Sequence, residues 1–176
     1  MARNVVDIPE RTFATGAVAF MKTYNEDIDG VRDMLDALTA LQDKHKLSME
    51  QSLSVMEKTG SAAKTLGMDY KELLSVLTAV SQVSGEEPEQ AAASLNYLLG
   101  RIHKGKSIQS FESIGVAVMK SPTEARSPWD VLKDTAAQWH TMTKQSQEAI
   151  AKDGMGVRRF TIFTKLMDNF SEAERA

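Results

Sequence analysis

The sequence predicts an all-α protein: a compact, irregular bundle of about eight or nine short helices with no sheet. Apolar residues recur at three- and four-residue spacing along most of the chain, and alternation with period two is nowhere sustained. Only four prolines and ten glycines punctuate 176 residues, and they fall where helices should begin or end. Two capping boxes mark helix starts directly, at Ser48/Gln51 and Asp69/Glu72.

Phe13, Ala17, Phe20, Met21 and Tyr24 predict a first amphipathic helix over about 11–24. Ile28, Val31, Leu35, Leu38 and Leu41 do the same for a second, ending near Asp43-Lys-His-Lys46. The third starts at the Ser48 box and carries Met49, Leu53, Met56, Gly60 and Ala63 on one face. A glycine inside a helix costs about 1 kcal/mol relative to alanine. Gly60 therefore points to close approach of a neighbouring backbone or to a bend. Gly67 caps this helix, and Asp69 opens the next, with Met68 and Leu73 placed to form a hydrophobic staple.

The fourth helix presents Leu73, Leu77 and Val80 and ends at Gly85. Pro88 suits the first turn of a fifth, with Ala91, Leu95, Leu98, Leu99 and Ile102 on its face. Arg101, His103 and Lys104 complement the dipole of its last turn before Gly105. Ser107 to Ile114 reads as a short helix capped by Gly115. From Val116 to Arg126 periodicity fades, and Pro122 marks an exposed loop. Ser127-Pro128 restarts a helix carrying Trp129, Leu132, Ala136 and Trp139. Thr143 caps another through about Lys152, broken by Gly154 and Gly156. The last presents Phe160, Phe163, Met167 and Phe170. Three segments result: an N-terminal helix in residues 1–26, packed or projecting; a helical core over 27–170; and a polar tail over 171–176.

Composition narrows function by exclusion. Net charge is −3 with both signs interspersed, so no basic stripe supplies the footprint that direct nucleic-acid binding needs. There is no cysteine, which removes disulfides, thiol catalysis and thiolate metal sites. The longest apolar stretches, Gly16 to Met21 and Gly115 to Met119, fall far short of the ~20 residues a membrane-spanning helix needs. Asp7, Pro9 and Glu10 do not form a signal-peptide core. A soluble chain is expected.

No catalytic, cofactor-binding or metal-binding residue is assigned, and no cofactor is expected. His45, His103 and His140 stand apart in sequence without metal-ligand spacing, and read as structural or solvent-facing. Lys104-Gly-Lys-Ser107 is the trailing fragment of a phosphate loop after a helix rather than a strand, and reads as a helix cap. Glu86, Glu87 and Glu89 around Pro88 read as first-turn acids rather than a paired-carboxylate site. The ten methionines fall mostly on leucine and phenylalanine faces, which favours core filling over a plastic recognition surface.

Several segments, taken in order, resemble the conserved core region of bacteriophage and prophage tail tape-measure proteins. They are Gly60-Ser-Ala-Ala-Lys64 with Leu66-Gly67, Glu72-Leu-Leu74, and the Gln145 to Lys152 stretch with Ala149-Ile-Ala151. The pattern closes on Gly156, Arg159, Phe163, Leu166, Met167, Asn169 and Phe170. The resemblance runs from about Leu35 to Phe170. The chain departs from it at Ala91-Ala-Ala93, where the family usually has Ala-Gly-Thr, and at Asn96, where a basic residue is common.

The resemblance implies a non-enzymatic structural protein acting in tail assembly and tail-length determination. It implies a place in the virion tail, and in the host bacterial cytoplasm during assembly. Partners would be tail-tube, tail-tip and chaperone proteins, with self-association. Family members are usually several times longer, and 176 residues in one unbroken helix would reach only about 260 Å. The expectation is one globular part of such a protein, excised or shortened. The competing expectation is a freestanding helical protein-interaction adaptor of prophage origin.

Overall fold

The computed structural model describes residues 10–45, 48–84, 88–156 and 160–175. Helix makes up 79% of the chain, so the all-α prediction holds. In chain order the elements are α1 (Glu10–Tyr24), α2 (Ile28–His45), α3 (Met49–Thr65), α4 (Tyr70–Ser84), α5 (Pro88–Ile102) and α6 (Gly105–Ser113). Then come β1 (Met119–Ser121), β2 (Glu124–Ala125), α7 (Pro128–Trp139), α8 (Lys144–Met155), α9 (Phe160–Asp168) and α10 (Phe170–Arg175). The last of these is a short turn of helix separated from α9 only at Asn169.

The one departure in class is local. The stretch expected to be a loop without sheet carries a two-stranded antiparallel ribbon, β1 against β2, turning at Pro122-Thr123. Buried Val116 and Val118 anchor its base. Strands of two or three residues are too short to leave an alternating pattern in sequence.

The caps behave as their chemistry predicts. Ser48 Oγ accepts the Gln51 amide at 3.1 Å, and the Gln51 side chain accepts the Ser48 amide at 3.0 Å. Asp69 and Glu72 form the same reciprocal pair at 2.8 and 3.0 Å. Gly67 takes φ +85°, and the amide of Met68 reaches back to the Ala63 carbonyl, which closes α3. Other boundaries shift modestly. α8 runs through Gly154 to Met155 and stops at Gly156, whose φ is +72°. Gly105 opens α6 rather than simply closing α5.

Two cores lie on opposite sides of the α3–α4 pair. The smaller joins Phe20, Tyr24, Val31, Met34 and Leu38 to Met49, Leu53, Met56, Tyr70 and Leu74. The larger is built from α4–α9 and the first residue of α10, with Val55 and Ala63 of α3, and centres on Leu73, Leu77, Leu98, Trp139 and Phe163. α3 and α4 therefore bury two faces each, where periodicity showed one. On α2, Met34 is fully buried while Ile28 is 70% exposed. The stripe that reaches the core is Val31–Met34–Leu38, and Ile28 sits one turn too early to be covered.

Candidate interaction surfaces

The polar side chains that join helices converge mostly on the larger core. Asp153, near the end of α8, is the densest junction. Its carbonyl accepts Arg101 Nη2 at 3.0 Å and the Ser107 hydroxyl at 2.9 Å, while its carboxylate accepts the Ser110 hydroxyl. Arg101 also lies 5.5 Å from the Tyr97 ring centroid and donates to the Tyr97 hydroxyl at 3.3 Å. One residue thereby ties α5, α6 and α8 together.

Arg126 is the second junction. Its guanidinium reaches the Ala117 carbonyl at 2.9 Å and Asp134 at 2.8 Å, and its amide donates to the Val118 carbonyl at 2.9 Å. Its own carbonyl accepts His103 Nε2–H at 2.9 Å. Burial holds the His103 pKa below the usual histidine value, partly opposed by that bond to the Arg126 carbonyl. The third junction is Trp139, whose indole N–H donates to Asp168 at 2.6 Å and whose carbonyl accepts the Gln147 amide at 2.6 Å.

The smaller core is aromatic. Phe20 meets Tyr70 edge-on with centroids 5.0 Å apart, and Tyr24 meets Tyr70 at 5.9 Å. Burial raises the pKa of both tyrosines above 10. For Tyr24 the charges of Asp69 and Glu72 add to it; for Tyr70, Lys71 opposes it while Asp33, Glu26 and Asp69 add. Between α1 and α3 lies an open cleft of about 310 Å³ lined by Lys22, Thr23, Ser61, Lys64 and Thr65. A second, of about 220 Å³, runs between α7 and α9–α10 past Ala136, His140, Met167 and Phe170.

Among the described residues, those singled out in the sequence do not assemble. His103 is a joint between α5 and the ribbon, and His140 is an exposed residue at the end of α7. The side chain of His45 lies outside the described residues, as do Glu86, Glu87 and the side chain of Glu89. Ser107 of the Lys-Gly-Lys-Ser fragment is engaged by Asp153. Among the described residues, no three carboxylate or imidazole groups converge as metal ligands. Met34, Met49, Met56, Met68 and Met167 are buried. The three junctions join residues 8 to 52 positions apart in sequence, most of them more than 20, and no local signal announced them.

What the geometry defines is a helical protein with part-buried polar bonds used as joints and clefts of mixed lining between helices. The chain belongs to the phage-related minor tail protein family, which it matches over residues 8–156. It is thus a phage tail protein. No solved structure matches it. Among the described residues no helix is long and apolar enough to cross a membrane.

Proposed function

We propose that this chain is a globular helical part of a tail tape-measure protein, acting without catalysis in tail assembly and tail-length determination. The family match over residues 8–156 carries the reading. It is supported by the ordered segments around Gly60, Glu72 and Ala149 and by the closing Phe163–Phe170 helix pattern. The polar groups support it too, because Asp153, Arg126 and Asp168 are consumed in holding helices together rather than turned toward a shared pocket. Its partners in this reading are tube, tip and chaperone proteins, met in the host cytoplasm before the tail is complete.

The test is an amber allele of the gene in the parent phage, with particles examined by electron microscopy. A tape-measure part is required for tails of defined length, so tails should be missing or irregular in length while heads still form. Normal-length tails on non-infectious particles would instead identify a freestanding adaptor.

A further inference from the structure

The cleft between α7 and α9–α10 has an apolar side, made by Ala136, Ala137, Met167 and Phe170, and a charged rim. Two rim groups, Lys133 and Glu174, cancel each other in an ion pair at 3.1 Å. Asp168 is not cancelled, since among the described residues it joins no ion pair. With histidine neutral, the lining therefore carries one uncompensated negative charge.

That carboxylate is held in place. Asp168 Oδ1 accepts the Trp139 indole N–H at 2.6 Å. The indole is fixed in turn: Trp139 is fully buried, edge-on to Phe163, and its carbonyl accepts the Gln147 side-chain amide. One oxygen serves the joint, yet Asp168 itself is exposed, and a carboxylate can accept several hydrogen bonds. Binding costs freedom in the side chains that it orders. An acceptor already immobilised by Trp139 loses little.

Size and lining select the occupant. At about 220 Å³ the cleft is smaller than the ~300–1,000 Å³ pockets that enclose whole small molecules, so it suits one long side chain. Its apolar side fits methylenes and its rim fits a cation, which is the division found within a basic side chain. Arginine is enriched in protein interfaces and lysine depleted. A guanidinium is more weakly hydrated than an ammonium, and it offers a carboxylate a planar fork of donors. We propose that this cleft is an anchor pocket for an arginine side chain of a partner protein, with the stem along Ala136, Met167 and Phe170 and the guanidinium at Asp168. The proposal stands independently of the tape-measure reading.

The full chain, isotope-labelled for magnetic resonance, is titrated with N-butylguanidinium and, separately, with neutral N-butylurea. The guanidinium should move the Trp139 indole signal and the amides of His140 and Asp168 saturably, and leave Gly60 of α3 unmoved. It should bind at least fivefold more tightly than the urea. Asp168→Asn keeps an oxygen for the indole and removes the charge, so guanidinium binding should weaken at least fivefold. Ala137→Leu, at an exposed position of α7, fills the cleft and should weaken both probes while the chain stays folded. Absence of a saturable shift, or guanidinium binding undiminished by Ala137→Leu, overturns the pocket. Equal binding of the two probes, or guanidinium binding undiminished by Asp168→Asn, overturns arginine as its occupant.

Discussion

The two cores flank the same pair of helices yet are closed by different chemistry. Around Trp139 and Phe163, fully excluded from solvent and 5.9 Å apart edge-on, polar bonds join α5 through α9 to one another. Around Phe20, Tyr24 and Tyr70, each still 4–8% exposed, aromatic contact and glycine-permitted closeness hold the layer. Apolar burial is non-directional and supplies most of the stability, whereas buried hydrogen bonds fix one arrangement because the alternatives leave groups unpaired. The larger core is thus tied to a single geometry, and the smaller is merely well packed.

The largest effect should come from Trp139→Ala. Removing a buried tryptophan costs about 3–5 kcal/mol, and here Asp168 also loses its indole donor. A urea titration should show a domain stripped of much of its stability. Phe20→Ala is the companion measurement: its loss should fall mainly on α1 and α2, and identical unfolding of both halves in both variants would erase the distinction.

Gly60→Leu should cost about 1–3 kcal/mol by overpacking. A Cβ at this position would already touch the Tyr24 ring at 3.5 Å, so the added isobutyl group has to push α1 outward. Gly60→Ala should be close to neutral, since 3.5 Å is ordinary contact and alanine favours the helix. Thermal melts of the two variants separate packing from backbone effects.

A smaller loss, about 1 kcal/mol, should follow Ser48→Ala, which removes the acceptor of the Gln51 amide at the start of α3. Because α3 serves both cores, both should weaken together, as amide protection across α1 and α9 would report.

The mildest probe is pH, and it addresses the cores separately. Burial keeps Tyr24 and Tyr70 protonated above the usual tyrosine range. Unfolded tyrosines ionise near pH ~10, so above that the unfolded chain holds fewer protons and stability falls as pH rises. Loosening should begin in α1–α2. His103 has the opposite sign. Its folded pKa is depressed by burial, so below about pH 6.5 the unfolded chain binds the extra proton and stability falls with pH. Acid loosening should begin at the α5–ribbon joint, visible in the exchange of Arg126 and its neighbours.

Helix identity was legible because it is written locally. The boxes at Ser48 and Asp69 and the stop at Gly67 follow from residues three or four apart. The core positions of Trp139 and Phe163 followed from one-face periodicity. What escaped depends on partners distant in sequence. Periodicity assigns one apolar face per helix, so the second buried faces of α3 and α4 were invisible. Ile28 and Met34 exchange roles because the stripe fixes a spacing and not which turn is covered. Asp153, next to Gly154 in a polar stretch, looked like a helix end; only the return of α5 and α6 makes it a junction. The candidate surfaces were legible only as faces, since a cleft such as that beside Lys22 and Lys64 belongs to two helices at once.

Gly16 touches Leu53 and Gly60 touches Tyr24, so α1 runs parallel to α3, with α2 returning between their ends. The starts of α1 and α3 therefore lie at the same end of the molecule. Tension applied between those two points acts across the helix axes and parts the seam one turn at a time, like a zipper. Shear along the axes would instead load every turn at once. The expected consequence is mechanical anisotropy: a lower opening force when α1 is drawn across its axis than when the same load runs along it, which single-molecule pulling from two attachment geometries would measure.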